Sequence, residues 1–156
     1  YVVTERINDF DYRIKINGKE KLYHANLLRK YVERDQALIR ISTKDFSFVA
    51  AHHMSFLFTQ IAALRIQVNL MQNSAISFVV CVNDSNDKVD RFTALISEEF
   101  NVSVERELDL YSVRHYNESI ISSLKSDKLI LAEERMPKTM QFVTKSLKTM
   151  QLKADF

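Results

Sequence analysis

The spacing of apolar residues along the chain changes period several times, and each change marks an element. Tyr12-Arg13-Ile14-Lys15-Ile16 alternates at period two, Asn17-Gly18 has hairpin-turn chemistry, and Glu20 to Tyr23 can return antiparallel. Leu27, Leu28 and Tyr31 then give a brief helical stripe. From residue 37 the pattern becomes regular. Ala37 to Ser42 sets Leu38 and Arg40 against Ile39 and Ile41, as in a strand. Met54, Leu57, Ile61 and Leu64 recur at steps of three and four, which predicts a helix from about Val49 to Arg65. Ile66, Val68 and Leu70 mark a second strand and, after the polar break Gln72-Asn73-Ser74, Ile76, Phe78, Val80 and Val82 mark a third. The run Asn83-Asp84-Ser85-Asn86-Asp87 suits a helix start. Val89, Phe92, Ile96 and Phe100 supply that helix's apolar face, and Val102 and Val104, continuing toward Leu110, predict a fourth strand.

The resulting order, β-α-β-β-α-β, predicts an α+β fold of the ferredoxin-like type, with right-handed crossovers that put both helices on one face of an antiparallel sheet. The other face also carries apolar residues (Ile39 or Leu38, with Val79 and Cys81), so a second sheet or a second copy should cover it. Part of a second unit follows. Leu110 to Tyr116 is strand-like, Asn117 can cap a short helix bearing Ile120, Ile121 and Leu124, and Lys128 to Ala132 is another strand. Pro137 interrupts the pattern and Thr139 to Thr144 resumes it. The chain thus divides into a short β-rich N-terminal segment (1–36), a complete unit (37–110), a partial unit (111–145) and a frayed helical tail (146–156).

Composition narrows the chemistry. Among 156 residues there is a single glycine, Gly18, so the glycine-rich phosphate cradles of Rossmann and P-loop proteins are excluded. One cysteine, Cys81, permits no internal disulfide and suits a reducing compartment. No apolar run approaches the roughly 20 residues needed to span a bilayer, and no signal-peptide pattern opens the chain, so a cytoplasmic location without membrane contact is expected. The net charge is +2, and the whole excess lies in residues 1–36, too little by itself to argue for nucleic-acid binding. His52 and His53 are adjacent on a helix and diverge by about 100°, a poor geometry for one metal. Cys81 sits among Val79, Val80 and Val82 with no activating base in view, and Glu98-Glu99 and Glu133-Glu134 point apart. Phe46, Phe48, Phe56 and Phe58 suggest a packed cluster rather than a base-stacking platform. No catalytic or metal site is expected.

Several stretches resemble the C-terminal regulatory region of bacterial aspartokinases, built of ACT domains. Ile41-Ser-Thr-Lys-Asp-Phe-Ser-Phe48 looks like a first strand and loop, and Arg65-Ile-Gln-Val-Asn-Leu-Met-Gln-Asn-Ser-Ala-Ile-Ser-Phe78 like the paired second and third strands. Leu110-Tyr-Ser-Val-Arg-His-Tyr116 and Thr139-Met-Gln-Phe-Val-Thr-Lys145 resemble the entry to, and the end of, the second ACT unit, so the likeness covers residues 37–145. It implies a regulatory role in which ACT sheets pair side by side as a homodimer and a feedback amino acid, lysine or threonine, binds at their interface. The effector pocket it implies comprises Asp45, Phe46, Ser47, Val49, Val68, Asn69, Leu70, Gln72, Asn73, Ser74, Ala75 and Ile76. Asn69, Ser74 and edge backbone groups could meet an amino-acid zwitterion, or could merely satisfy the strand edge. ATP, magnesium and aspartate phosphorylation would belong to an upstream kinase domain, and this segment needs no cofactor.

Residues 1–36 look instead like the small GPY/F-type barrel that ends the integrase of long-terminal-repeat retroelements. Tyr1-Val2-Val3, Ile7-Asn8-Asp9 with Tyr12-Arg13-Ile14, and Tyr23-His24-Ala25-Asn26-Leu27-Leu28 with Tyr31 carry that similarity. It implies an alternative function, a nucleic-acid-associated segment fused to a non-functional ACT remnant, with weak and salt-sensitive affinity for DNA.

Overall fold

A computed structural model describes residues 2–7, 11–24, 30–45, 47–85 and 87–146. Strands β1 (Val2–Arg6), β2 (Asp11–Ile16) and β3 (Lys19–His24) form a three-stranded antiparallel sheet in that order. The β2–β3 turn is the one expected. Asn17 and Gly18 both take positive φ, 50° and 78°, as a tight two-residue hairpin requires.

The next strand, β4, runs without a break from Lys30 to Thr43 and crosses the 36/37 boundary drawn from the sequence. Tyr31 therefore lies on a strand and not on the expected helical stripe, whose other members, Leu27 and Leu28, lie outside the described residues. The reason is tertiary: Lys30 to Glu33 pair with Val113 to Leu110, and that ladder overrides a weak local helical period. Helix α1 (Ala51–Ala63) is shorter than the sequence pattern. The Val49 N–H is taken by the Ala75 carbonyl at 2.7 Å, and Arg65 leaves the helix with φ 51°. Strands β5 (Val68–Asn73) and β6 (Phe78–Asn83) follow, with Ile66 and Ile76 outside them. Helix α2 covers Lys88–Ile96, so Phe100 is the first residue of β7 (Phe100–Arg114) rather than part of the helix face. Among the described members of the polar run at 83–87, none caps α2 through its side chain; Asp84 and, from the helix, Asp90 both bind Arg106, each at 2.5 Å. Helix α3 (Glu118–Lys125) is capped as expected, Asn117 Oδ1 accepting from the Ile120 N–H at 2.9 Å. Strands β8 (Lys128–Arg135) and β9 (Thr139–Ser146) complete the described chain, and no described helix is long and apolar enough to cross a membrane.

Strands β4 to β9 form one antiparallel sheet of order β5-β6-β4-β7-β9-β8. The path β4-α1-β5-β6 is repeated as β7-α3-β8-β9. The hairpin β5–β6 flanks residues 36–41 of β4, and the hairpin β8–β9 flanks residues 109–114 of β7. Because β4 and β7 are antiparallel along their whole length, each gives one half to each unit. Residues 30–33 of β4 occupy, beside β7 in the partial unit, the place that β7 occupies beside β4 in the complete one.

The sheet is strongly curled. In a flat six-stranded sheet the outermost strands would lie roughly 24 Å apart. Here Gln72 on β5 donates to the Glu133 carbonyl on β8 at 2.5 Å, and Arg40 on β4 donates to the Leu131 carbonyl at 3.1 Å. The concave face buries Leu38, Leu70 and Cys81 against Leu108, Leu110 and Val143. The expected second sheet or second copy is thus not what covers this second apolar face; the other half of the same six-stranded sheet curls onto it. Helices α1 and α2 cover the convex side over Ile39, Ile41, Phe78, Val80 and Val82, while α3 covers Val113, Met140 and Phe142. Both units depend on the concave core, so Leu110→Ala should cost roughly 2–5 kcal/mol in urea titration. Far-UV and near-UV signals should still unfold together; separate transitions for the two units would contradict a shared core.

Candidate functional site: the β4–α1 loop, the β5 edge and the concave face

Some of the positions that the resemblance implies for an effector come together at the end of β4. Thr43 Oγ1 donates to the Ser47 carbonyl at 2.7 Å, and the Ser47 N–H donates to Asp45 Oδ1 at 3.1 Å. Hydrogen bonding from the Ser47 side chain first, and then from the Ser47 N–H, holds the exposed Asp45 carboxyl below the usual carboxylate range. The loop then docks on the β5–β6 turn through the Val49 N–H and the Ala75 carbonyl. That turn is closed by Ser74 N–H to the Ser77 carbonyl at 2.9 Å and by the two serine hydroxyls, also 2.9 Å apart. Phe48 is 72% exposed and Ile76 61% exposed, flanking this junction. Asp45, Ser47, Val49, Ser74, Ala75 and Ile76 therefore share one neighbourhood, with Asn73 at its border. Phe46 lies outside the described residues.

The remaining positions lie elsewhere. Asn73 pairs with Phe78 and Val68 with Val82, so Val68 and Asn69 sit at the far end of β5, about 15 Å along the strand from the turn. Leu70 is buried in the concave core, and Gln72 reaches β8. Asn69 belongs to a carboxamide network. Its Nδ2 donates to Gln36 Oε1 at 2.8 Å and to Asn83 Oδ1 at 2.6 Å, while Gln36 Nε2 donates to Asn83 Oδ1 at 2.8 Å and to the Arg34 carbonyl at 3.0 Å. Gln67 adds contacts to Asn69 and Asn83. Sequence reasoning missed Gln36 and Asn83. A polar residue entering an apolar strand carries no local mark of the carboxamides that will face it, although Gln36 shares the face of Leu38 at period two.

Cys81 lies beside this network, its Sγ 3.5 Å from Gln36 Oε1. Burial, assisted by the Glu33 carboxylate, pushes its thiol up to about 12. Among the described residues no group of His, Cys, Asp and Glu is arranged for a metal. In the N-terminal sheet, Arg13 is paired with Glu5 at 2.8 Å, and strand alternation puts Arg13 and Lys15 on the face opposite Lys21. The described basic residues there do not concentrate on one face.

No protein-family model and no curated protein sequence matches this chain. Solved structures do. Escherichia coli aspartokinase III in complex with lysine and aspartate superposes with a TM-score of 0.59 at 15% identity, over 79% of this chain and 30% of that one. The regulatory subunit of Thermus thermophilus aspartate kinase, in its ligand-free form, gives 0.57 at 9% identity, over 79% and 90%. A Porphyromonas gingivalis W83 domain assigned as a C-terminal regulatory domain of aspartate kinase gives 0.65 at 12% identity, over 80% and 91%. This chain therefore has the fold of aspartokinase ACT regulatory regions. It spans under a third of the aspartokinase III chain and nearly all of the separate regulatory pieces.

Two outcomes follow from the geometry. Gln36→Ala removes the hub of the carboxamide network and should cost about 1–3 kcal/mol by chemical denaturation. The Cys81 thiol is protonated in the folded state up to about pH 12, against an ordinary value of 9.0. Its contribution is present in full below pH 9 and is lost as pH rises from 9 toward 12, because only the unfolded thiol ionises first. The stability of the wild type relative to Cys81→Ala should fall over that window, and iodoacetamide should label the native protein only as fast as it opens.

Proposed function

We propose that this chain is the amino-acid-sensing regulatory and dimerisation region of an aspartate-kinase-type protein. The observation that carries the reading is the two-unit curled sheet, shared with a regulatory subunit over 90% of the latter's length. Escherichia coli aspartokinase III, similar in fold, was solved with lysine and aspartate. By extension, a feedback amino acid (lysine, threonine or methionine) is the effector here. The loop–turn junction around Asp45, Ser47, Val49, Ser74 and Ala75 supports the reading chemically. An ionised, exposed carboxylate can take an ammonium, and exposed main chain along the β5 edge can take a carboxylate.

The same edge offers a route to dimerisation. β5 ends the sheet on one side and carries exposed Met71; Phe58 of α1 and Ile76 of the turn are exposed as well. Edge-to-edge pairing of two copies would cover these groups and bring two loop–turn junctions together. Coupling to a kinase domain, which would hold ATP and magnesium, requires the effector to bind two states of the pair unequally. A cytoplasmic location fits this role.

Calorimetric titration with lysine, threonine and methionine should give millimolar or tighter binding for one of them. Light scattering should show a dimer that Met71→Glu converts to monomer. Absence of heat and of any thermal shift with all three amino acids would refute the sensing role.

A further inference from the structure

The β2–β3 turn sets an asparagine directly before the chain's single glycine, and both residues are exposed. Both also hold left-handed backbone. Gly18 leaves its main-chain nitrogen without a side chain beside it. Beyond the chain neighbours, no heavy atom lies within 4 Å of the space that a Cβ there would take. Among the described residues no hydrogen bond holds the Asn17 carboxamide. Other asparagines are placed differently: Asn117 Oδ1 caps α3, Asn69 and Asn83 bind each other, and none of them precedes a glycine. The sheet that carries the turn is thin, and among its described side chains only Ile14 is buried. Three short strands are marginal alone, so a hairpin at their end opens at little cost.

We propose that Asn17 is a site of spontaneous covalent modification, at which the chain converts asparagine to aspartate and isoaspartate through a cyclic imide with Gly18. The Gly18 nitrogen gives its proton to water or hydroxide and attacks Asn17 Cγ. The new C–N bond forms as the Cγ–Nδ2 bond breaks, and ammonia leaves. Water then opens the ring. Cleavage at the Cγ carbonyl restores the ordinary main chain and leaves aspartate; cleavage at the main-chain carbonyl leaves isoaspartate, with the chain running through Cγ. The net reaction consumes water, releases ammonia and needs no oxidant, reductant or cofactor. Ring closure requires Asn17 to swing out of the left-handed turn, so it proceeds when the hairpin opens. The two products differ in consequence. Aspartate before glycine still suits the turn, and it removes one unit from the chain's formal charge of +2. Isoaspartate lengthens the main chain by a methylene inside a two-residue loop, so Ile16 no longer faces Lys19 with both strands in register. The site therefore acts as a slow, one-way release of the β2–β3 hairpin.

The test incubates the full chain at neutral and at mildly alkaline pH and follows it by peptide mass spectrometry, with isoaspartate measured by enzymatic methylation. Residue 17 should be deamidated first, with isoaspartate exceeding aspartate. The rate should rise with pH, because the attacking nitrogen must lose its proton. Asn69, Asn83 and Asn117 should stay intact over the same interval. Gly18→Ala should slow the reaction about tenfold, since a Cβ crowds the nitrogen and restricts the backbone. That variant also strains a position with φ 78°, so the same comparison is made in urea, where the substitution acts on the chemistry alone. The modified fraction, separated by ion exchange, should lose amide protection from Arg13 to Leu22 and keep it at the buried Leu38 and Val80. An intact Asn17 in the folded chain, where the unfolded chain reacts, overturns the proposal by showing that the hairpin shields the site. Aspartate without isoaspartate also overturns it, since direct hydrolysis forms no ring, as does equal modification of the other asparagines. Unchanged protection in the modified fraction overturns the release of the hairpin.

Discussion

The antiparallel ladder between β4 and β7 extends from Lys30 opposite Val113 to Thr43 opposite Phe100, and the other elements are arranged by it. Each strand is long enough to serve two units, so neither unit has a complete sheet without the other's strand. Register shifts interrupt the ladder between Glu33 and Leu38, where Asp35 has φ 54° and the opposing Glu107 has φ 60°. Such bulges sharpen strand twist and bend. They fall where β4 passes from one unit to the other, and the curl that brings β5 to β8 follows from them. Once curled, the sheet has an inside, and the inside sorts residues by row.

That sorting gives the concave face its chemistry. At one end buried polar groups are acceptable because Gln36, Asn69 and Asn83 satisfy one another. In the middle, Leu38, Leu70, Cys81, Leu108, Leu110 and Val143 exclude water, which is also why the Cys81 thiol resists ionisation. At the other end Ser42 and Ser103 leave space that larger residues would fill. The convex side is simpler, since its helices bury Leu57, Ile61, Phe92 and Ile96 in the ordinary way. In this architecture accessible backbone and small polar groups are left at edges and mouths.

Much of the fold could be read directly from the chain. The order of elements from Ala37 to Thr144, the Asn17-Gly18 turn and the Asn117 cap all rest on short-range rules that act within one turn or one hairpin. Errors appeared where a long-range pairing decided the outcome. Tyr31 joined a strand because β7 was beside it, and Phe100 began β7 because α2 had already ended at Ile96. The site was legible in part. Asp45, Ser47 and Val49 meet Ser74 and Ala75 because the loop and turn close the same end of two neighbouring strands. Val68 and Asn69 stand apart from them because they begin the six-residue strand whose other end leads into the turn.

Periodicity, one glycine and one cysteine by themselves determined the α+β class, the two helices on one face and the absence of a glycine-rich phosphate cradle, since these depend on local geometry and residue type. That the second apolar face is covered by the far half of the same curled sheet was decided only by tertiary structure. So were the completion of the partial unit by residues 30–33 and the assembly of Gln36 with Asn69 and Asn83. Each needs a pairing or contact between residues tens of positions apart, on β4 with β6 and β5 or on β4 with β7, and no local pattern encodes which distant strand will lie alongside.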